Sequence, residues 1–257
     1  MKTLSIQTKG LTKKFGKKEA VNNLNLEISR GEVYGFLGPN GAGKTTTMKM
    51  LVGLIPQTSG SIKIFGHPPS LESVGFKKRV GYLPEAVHLY DKLSGVEHLE
   101  FVGRLYRVSA EKRHERSKDL VSLFDLSDCA NRYVETYSKG QKQKLALAMT
   151  LIHDPELLLL DEPTSGLDPR ASKLIREIIL ILKEENKTIF LSTHLLDVVE
   201  KVCTKAGIIY DGKMVASDTV KGLAKRKGNL EDTFIDLTGG GLDKGGLKKW
   251  KKRTRSP

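Results

Sequence analysis

Residues Gly38 to Thr45 read GPNGAGKT and fit the pattern G-x-x-x-x-G-K-[ST]. Gly38, Gly41 and Gly43 let the backbone wrap closely with its N–H groups turned inward, and Lys44 adds a point charge for the β and γ phosphates of a nucleotide. Thr45 supplies a hydroxyl for Mg²⁺. A chance match in a chain of this length occurs on the order of one time in a hundred. A second constellation lies in LLLLDEPTSGLDP, where Asp161 and Glu162 emerge at the end of an apolar run. If its strand neighbours the strand before the phosphate loop, both acids face that loop. Asp161 would then hold Mg²⁺ through its water shell, and Glu162 would polarise a water in line with the γ phosphate. His194 follows another apolar run, TIFLST, and should leave the same sheet edge, within reach of the γ phosphate or that water. A fourth stretch, YSKGQKQKLALAM, opens with Ser138, Lys139 and Gly140 and continues with Leu145, Met149 and Ile152 on one helical face. A helix start so rich in donors suits an anion, although an ordinary N-cap on a buried helix reads the same way.

These groups need a framework. LSIQTKGLTKKF and LNLEISRGE alternate as early antiparallel strands do, and VYGFLG reads as a buried strand ending in glycine. A helix is expected over 44–54, strands at SIKIFG and VGYLP, then a helical, charged stretch over 94–126 with no strand in it. LLLLD, TIFLS and AGIIYDG resume the strands, separated by helical stretches such as ASKLIREIILILKEEN. This is an α/β pattern with a helical insertion.

The 257 residues carry a net charge of +13, and the end of the chain, GGGLDKGGLKKWKKRTRSP, holds seven Lys and Arg against Asp243. Such a tail reads as flexible and solvated, with attraction to anionic lipid as the sharper alternative, which Trp250 favours, or to nucleic acid. Cys129 and Cys203 match no metal spacing, and MKTLSIQTKG has no apolar core like that of a signal peptide. Charged residues interrupt every apolar run before membrane-spanning length, so a cytoplasmic location is expected.

Taken in order, GPNGAGKTT, YSKGQ, LLLLDEP, SGLD and STH resemble the nucleotide-binding subunit of an ATP-binding-cassette (ABC) transporter over about residues 3–238. The resemblance implies a P-loop NTPase core with a mixed sheet, an N-terminal antiparallel β subdomain and an α-helical subdomain inserted at about 86–155, with residues 239–257 as a basic tail. It assigns Gly38, Asn40, Gly41, Gly43, Lys44, Thr45 and Thr46 to the Walker A loop, Asp161 to Walker B and Glu162 to the catalytic base. His194 becomes the switch histidine and Asp168 a dimer-seam residue. Phe15 becomes an adenine-stacking aromatic, with a core phenylalanine as the other reading. Ser138, Gly140 and Gln141 become a signature that meets the γ phosphate held by a second subunit, so that two ATP molecules glue a head-to-tail pair. ATP and Mg²⁺ are the implied cofactors, with Thr45, Glu85 and Asp161 around the metal.

Two positions depart from the common pattern. Glu85 stands where many members have Gln, and Lys139 replaces the first of two paired signature glycines. Both forms resemble the branch of ABC-2 exporters for multidrug, sodium and related substrates, as does the ending LEDTFIDLTGG. The resemblance also implies a membrane permease partner, which places the chain at the inner face of the cell membrane. EAVHLYDKLSGVEHLEFVGRLY would receive that permease through Leu89, Tyr90 and Leu93, while Leu99, Phe101 and Leu105 at helical spacing form the subdomain core. The function expected is that of an ATP-hydrolysing motor for export, with a soluble cassette ATPase acting on nucleic acid or ribosomes as the alternative. The absence of long coiled-coil arms or a second cassette speaks against the latter, and makes nucleic acid an unlikely partner.

Overall fold

The computed structural model describes residues 3–239. Strands β1 (Leu4–Phe15) and β2 (Lys18–Ser29) form a long hairpin, and β3 (Val33–Leu37) runs into the phosphate loop and α1 (Lys44–Leu51). Next come β4 (Ser59–Ile64), α2 (Val74–Arg79) and β5 (Val80–Leu83). Three helices follow, α3 (Gly95–Leu105), α4 (Ala110–Leu123) and α5 (Lys139–Leu151). The chain then alternates through β6 (Leu157–Asp161), α6 (Pro169–Glu184), β7 (Thr188–Thr193), α7 (Leu196–Val202) and β8 (Lys205–Tyr210). It closes with β9 (Lys213–Thr219), α8 (Val220–Lys225) and α9 (Leu230–Thr238). The basic stretch from residue 240 onward, with Trp250, lies outside the described residues.

Two sheets result. One is antiparallel, in the order β2-β1-β4, and the other runs β5-β6-β7-β3-β8-β9, parallel except for β9. Every residue of β3, β6 and β7 is buried, as expected of parallel strands covered on both faces. One core, including Phe36, Met48, Leu159 and Phe190, fills the space between the sheets around α1. A second, including Leu99, Phe124, Leu145, Leu158 and Ile179, joins the other face of the large sheet to α3–α6.

The fold departs from the sequence pattern in several places. The helix expected over 44–54 ends at Leu51, because Gly53 takes φ +83° and leads the chain out of the helix. The helical stretch over 94–126 divides into α3 and α4 at Arg107, a residue at φ +57°. The strand of Asp161 and the strand before the phosphate loop are not neighbours, since β7 lies between them. The acids still face the loop because all three strands are parallel and end at one edge.

At the far end of α5, His153 stacks on Tyr106 with ring centroids 3.7 Å apart, and its Nε2 lies 3.2 Å from the Val80 carbonyl. The carbonyl only accepts, so Nε2 carries the proton and donates. This pairing ties the helical insertion to edge strand β5. Burial pushes the His153 pKa down to about 4. The folded protein therefore keeps this imidazole neutral where the unfolded chain would protonate it, and stability falls as pH drops from about 6.5 towards 4. Urea unfolding at pH 7 and pH 4.5 should show wild type losing on the order of 2 kcal/mol more than His153→Gln. Equal losses would mean that another group carries the acid sensitivity.

Candidate functional site: a nucleotide cavity at the strand ends

The phosphate loop owes its shape to two close approaches. A Cβ on Gly38 would meet the Ile209 carbonyl at 2.5 Å, and Gly43, the N-cap of α1, sits at φ +108° with the Ala20 carbonyl against it. Only glycine fits either place. Lys44, 6% exposed, donates from Nζ to the carbonyls of Gly38 at 2.8 Å and Pro39 at 3.2 Å. The same ammonium lies 3.4 Å from Glu162 Oε1. The loop's cation is thus the counter-ion of Glu162.

Glu162 has a second partner. His194 Nδ1 is 2.9 Å and 3.0 Å from its two carboxylate oxygens, so the imidazole donates from Nδ1 and leaves Nε2 as an acceptor when neutral. Thr193 Oγ1 also donates to Glu162 Oε2 at 3.3 Å. Asp161 behaves differently. Its Oδ1 accepts from Ser192, while Oδ2 is buried without a hydrogen-bond partner. Burial raises its pKa above the usual carboxylate range, the charges of Glu85 and Glu162 add to the rise, and the hydroxyls of Ser192 and Thr45 oppose it. A buried carboxylate with one unpaired oxygen, beside a threonine hydroxyl and a second acid, fits a hard divalent cation.

Phe15, Asn40, Gly41, Gly43, Lys44, Thr45, Thr46, Glu85 and Glu162 line one cavity of about 350 Å³. Phe15 is 54% exposed rather than a core residue, with Lys13 Nζ 5.1 Å from its ring centroid, so one aromatic face is open to a base. Lys18 and Ala20 line the same cavity and carry no motif by which the sequence could announce them. Gly38, Asp161 and His194 do not line it; Gly38 accepts from Lys44 and His194 donates to Glu162, two residues that do.

Ser138, Gly140 and Gln141 do not join this cavity. They form the start of α5, where Ser138 Oγ accepts from the Gln141 amide at 3.2 Å and the Gln141 side chain accepts from the Ser138 amide at 2.8 Å. This reciprocal cap occupies the Gln141 carboxamide oxygen within its own helix. A Cβ on Gly140 would stand 3.7 Å from Asp168 Oδ2, so the signature and Asp168 share one surface. Asp168 itself caps α6 by accepting from the Ala171 amide at 2.9 Å.

The loop that carries Leu89 and Tyr90 is held by buried His98, whose Nε2 accepts from the Tyr90 amide at 3.0 Å. Leu89 lines an apolar groove with Val87, Val102, Leu105 and Met149. Tyr90 is exposed and packs edge-on to Phe101 at 5.9 Å, whereas Leu93 lies outside the groove. Phe101 and Leu105 are exposed at 41% and 65%, so of the three residues expected in the subdomain core only Leu99 is buried there. Spacing of four gave them a common face with each other, and nothing in it said that the face looks outward.

The family model described as ABC transporter matches residues 21–165, more than half the chain. The chain belongs to the ABC transporter family. The linearmycin resistance ATP-binding protein LnrL of Bacillus subtilis (strain 168) is 36% identical to this cassette over 238 residues, covering 93% of this chain and 76% of that relative. A solved structure described as the ATP-binding subunit of an ABC transporter matches with a TM-score of 0.83 at 29% identity, covering 91% of this chain and 99% of its own. The cassette MJ0796, solved as a dimer in a post-hydrolysis state with ADP and Pi, matches with a TM-score of 0.77 at 26% identity, covering 83% and 98%. This cassette is therefore an ABC ATP-binding subunit with the P-loop fold, and no helix among its described residues is long and apolar enough to cross a membrane.

Proposed function

We propose that this cassette is the ATP-hydrolysing motor of an exporter, that it pairs with a second ATP-binding subunit around ATP, and that it drives a separate membrane permease. The observation that carries the reading is that Lys44 and Glu162 pair within one cavity lined by the phosphate loop, with His194 donating to the same Glu162 carboxylate. Thr45, Asp161 and Glu85 would hold Mg²⁺, which when bound screens phosphate charge. Arrival of the γ phosphate draws Lys44 away from Glu162, and the freed carboxylate takes a proton from the attacking water. His194 keeps Glu162 oriented through Nδ1. Phe15 stacks on the base, with the amides of Asn40 to Thr46 turned to the phosphates. Ser138, Gly140 and Gln141, together with Asp168, stand apart from this cavity, as groups destined for a partner's nucleotide must.

The apolar groove of Leu89 with exposed Tyr90 supports a permease contact, and the linearmycin resistance named for LnrL supports export. The proposed cassette spans residues 1–238, with the helical insertion at about 86–155 and the basic tail at 239–257. The basic tail adds attraction to anionic lipid, and the cassette is peripheral on the cytoplasmic face. The test is mass spectrometry of what co-purifies with Glu162→Gln from solubilised native membranes in MgATP. A stoichiometric multi-span protein is expected. Nucleic acid or ribosomes in its place, with none of the cassette in membranes, would overturn the exporter reading.

A further inference from the structure

Glu162 is held in an unusual backbone state. It is a glutamate at φ +49°, a left-handed conformation that side chains other than glycine adopt only where their surroundings impose it. The Glu162 amide donates to the Ser192 carbonyl at 3.0 Å, the Ser165 amide donates back to the Glu162 carbonyl at 3.1 Å, and His194, Thr193 and Lys44 hold the carboxylate. A further restraint, on the backbone just after Glu162, comes from α5. Gln143, buried on α5 five residues after Ser138, donates from Nε2 to the carbonyl of Pro163 at 3.2 Å. A carbonyl can only accept, so the orientation of this carboxamide is fixed.

The same helix touches the turn again one residue row further out. A Cβ at Gly166, itself at φ +66°, would collide with the Lys139 ammonium, so that side chain lies across the turn between Glu162 and Asp168. Signature helix and catalytic turn thus meet at two points in one chain, of which the Gln143 hydrogen bond is the directional one.

We infer that Gln143 is a positioning residue for Glu162, acting through the Pro163 carbonyl and so linking the signature helix to the base within the same subunit. The inference rests on the assignment of Glu162 as the base. Without the carboxamide the peptide after Glu162 can rotate, and the carboxylate leaves the line of attack while the phosphate loop, whose cavity Gln143 does not line, keeps its grip on ATP.

The test is a double-mutant cycle in the full chain, with single-turnover hydrolysis at saturating MgATP and calorimetric ATP affinity read in parallel. Gln143→Met keeps the volume and removes the donor. It should slow hydrolysis roughly ten- to hundredfold, as small misplacements of a reacting group do, with ATP affinity unchanged. In the Glu162→Gln background it should have no further effect, because the group it positions is gone. Gln143→Asn, which stays polar but falls a methylene short, carries the same test should the methionine variant fold poorly. Wild-type turnover in these variants, or an equal loss in both backgrounds, would overturn the inference while leaving the base assignment standing. Near-normal turnover of Glu162→Gln alone would overturn both.

Discussion

Glu162→Gln is expected to bind ATP at least as tightly as wild type and to hydrolyse it roughly two to four powers of ten more slowly, the loss typical of removing a general base. The substitution keeps the shape of the side chain. Its carboxamide oxygen can still accept from His194, so the ring stays in place. What disappears is a buried negative charge 3.4 Å from the ammonium that must receive phosphate. Nucleotide no longer competes with that charge for Lys44, so affinity holds or rises while water loses its proton acceptor. Calorimetry and single-turnover hydrolysis separate the two effects. Turnover near wild type would reject Glu162 as the base.

Lys44→Ala is expected to fail in the opposite order, losing ATP before chemistry is reached. A charge-assisted contact to phosphate contributes about 1.5–3 kcal/mol, so affinity should fall roughly ten- to hundredfold. The variant should also be less stable without ligand. Lys44 and Glu162 are 6% and 4% exposed in their side chains, and removing one member of a buried pair leaves the other charge uncompensated. Because His194 still donates to Glu162, the cost should lie below the roughly 3–5 kcal/mol of a wholly orphaned charge. Adding Glu162→Gln to Lys44→Ala should then restore most of the lost stability but none of the affinity. Chemical denaturation of the four variants in the cycle checks this. Strictly additive losses would show that the pair does not act as one unit.

Much of this site is legible without any fold, because its largest part is contiguous. Eight residues from Gly38 to Thr45 make a loop whose function depends on its own backbone, so the spelling is the structure. The apolar runs before Asp161 and His194 tell which residues stand at strand ends, since fully buried parallel strands have little other composition. Lateral order is not legible, and nothing in the sequence puts β7 between β6 and β3, because neighbours in a parallel sheet are chosen by crossovers rather than by local pattern. The left-handed backbone of Glu162 is equally hidden, as no glycine marks it. Gln143 gives no signal at all. Its hydrogen bond joins residues twenty apart, and a glutamine on a basic helix face reads as solvated. Gln141 reads as facing nucleotide, yet its carboxamide oxygen closes its own helix, a role visible in the S-x-x-Q spacing that begins at Ser138.

The strand interposed between β6 and β3 also sets a ruler. Strands in a sheet stand about 4.8 Å apart, so the loop after β3 and the acids after β6 are held two steps, about 10 Å, from each other. Side chains must cross that gap to meet, as Lys44 and Glu162 do. Adjacent strands would have closed the space, and three steps would have left the lysine short of the carboxylate. The distance between the phosphate loop and the acids is therefore written in backbone hydrogen bonds of the sheet, and no substitution of a side chain in the cavity resets it.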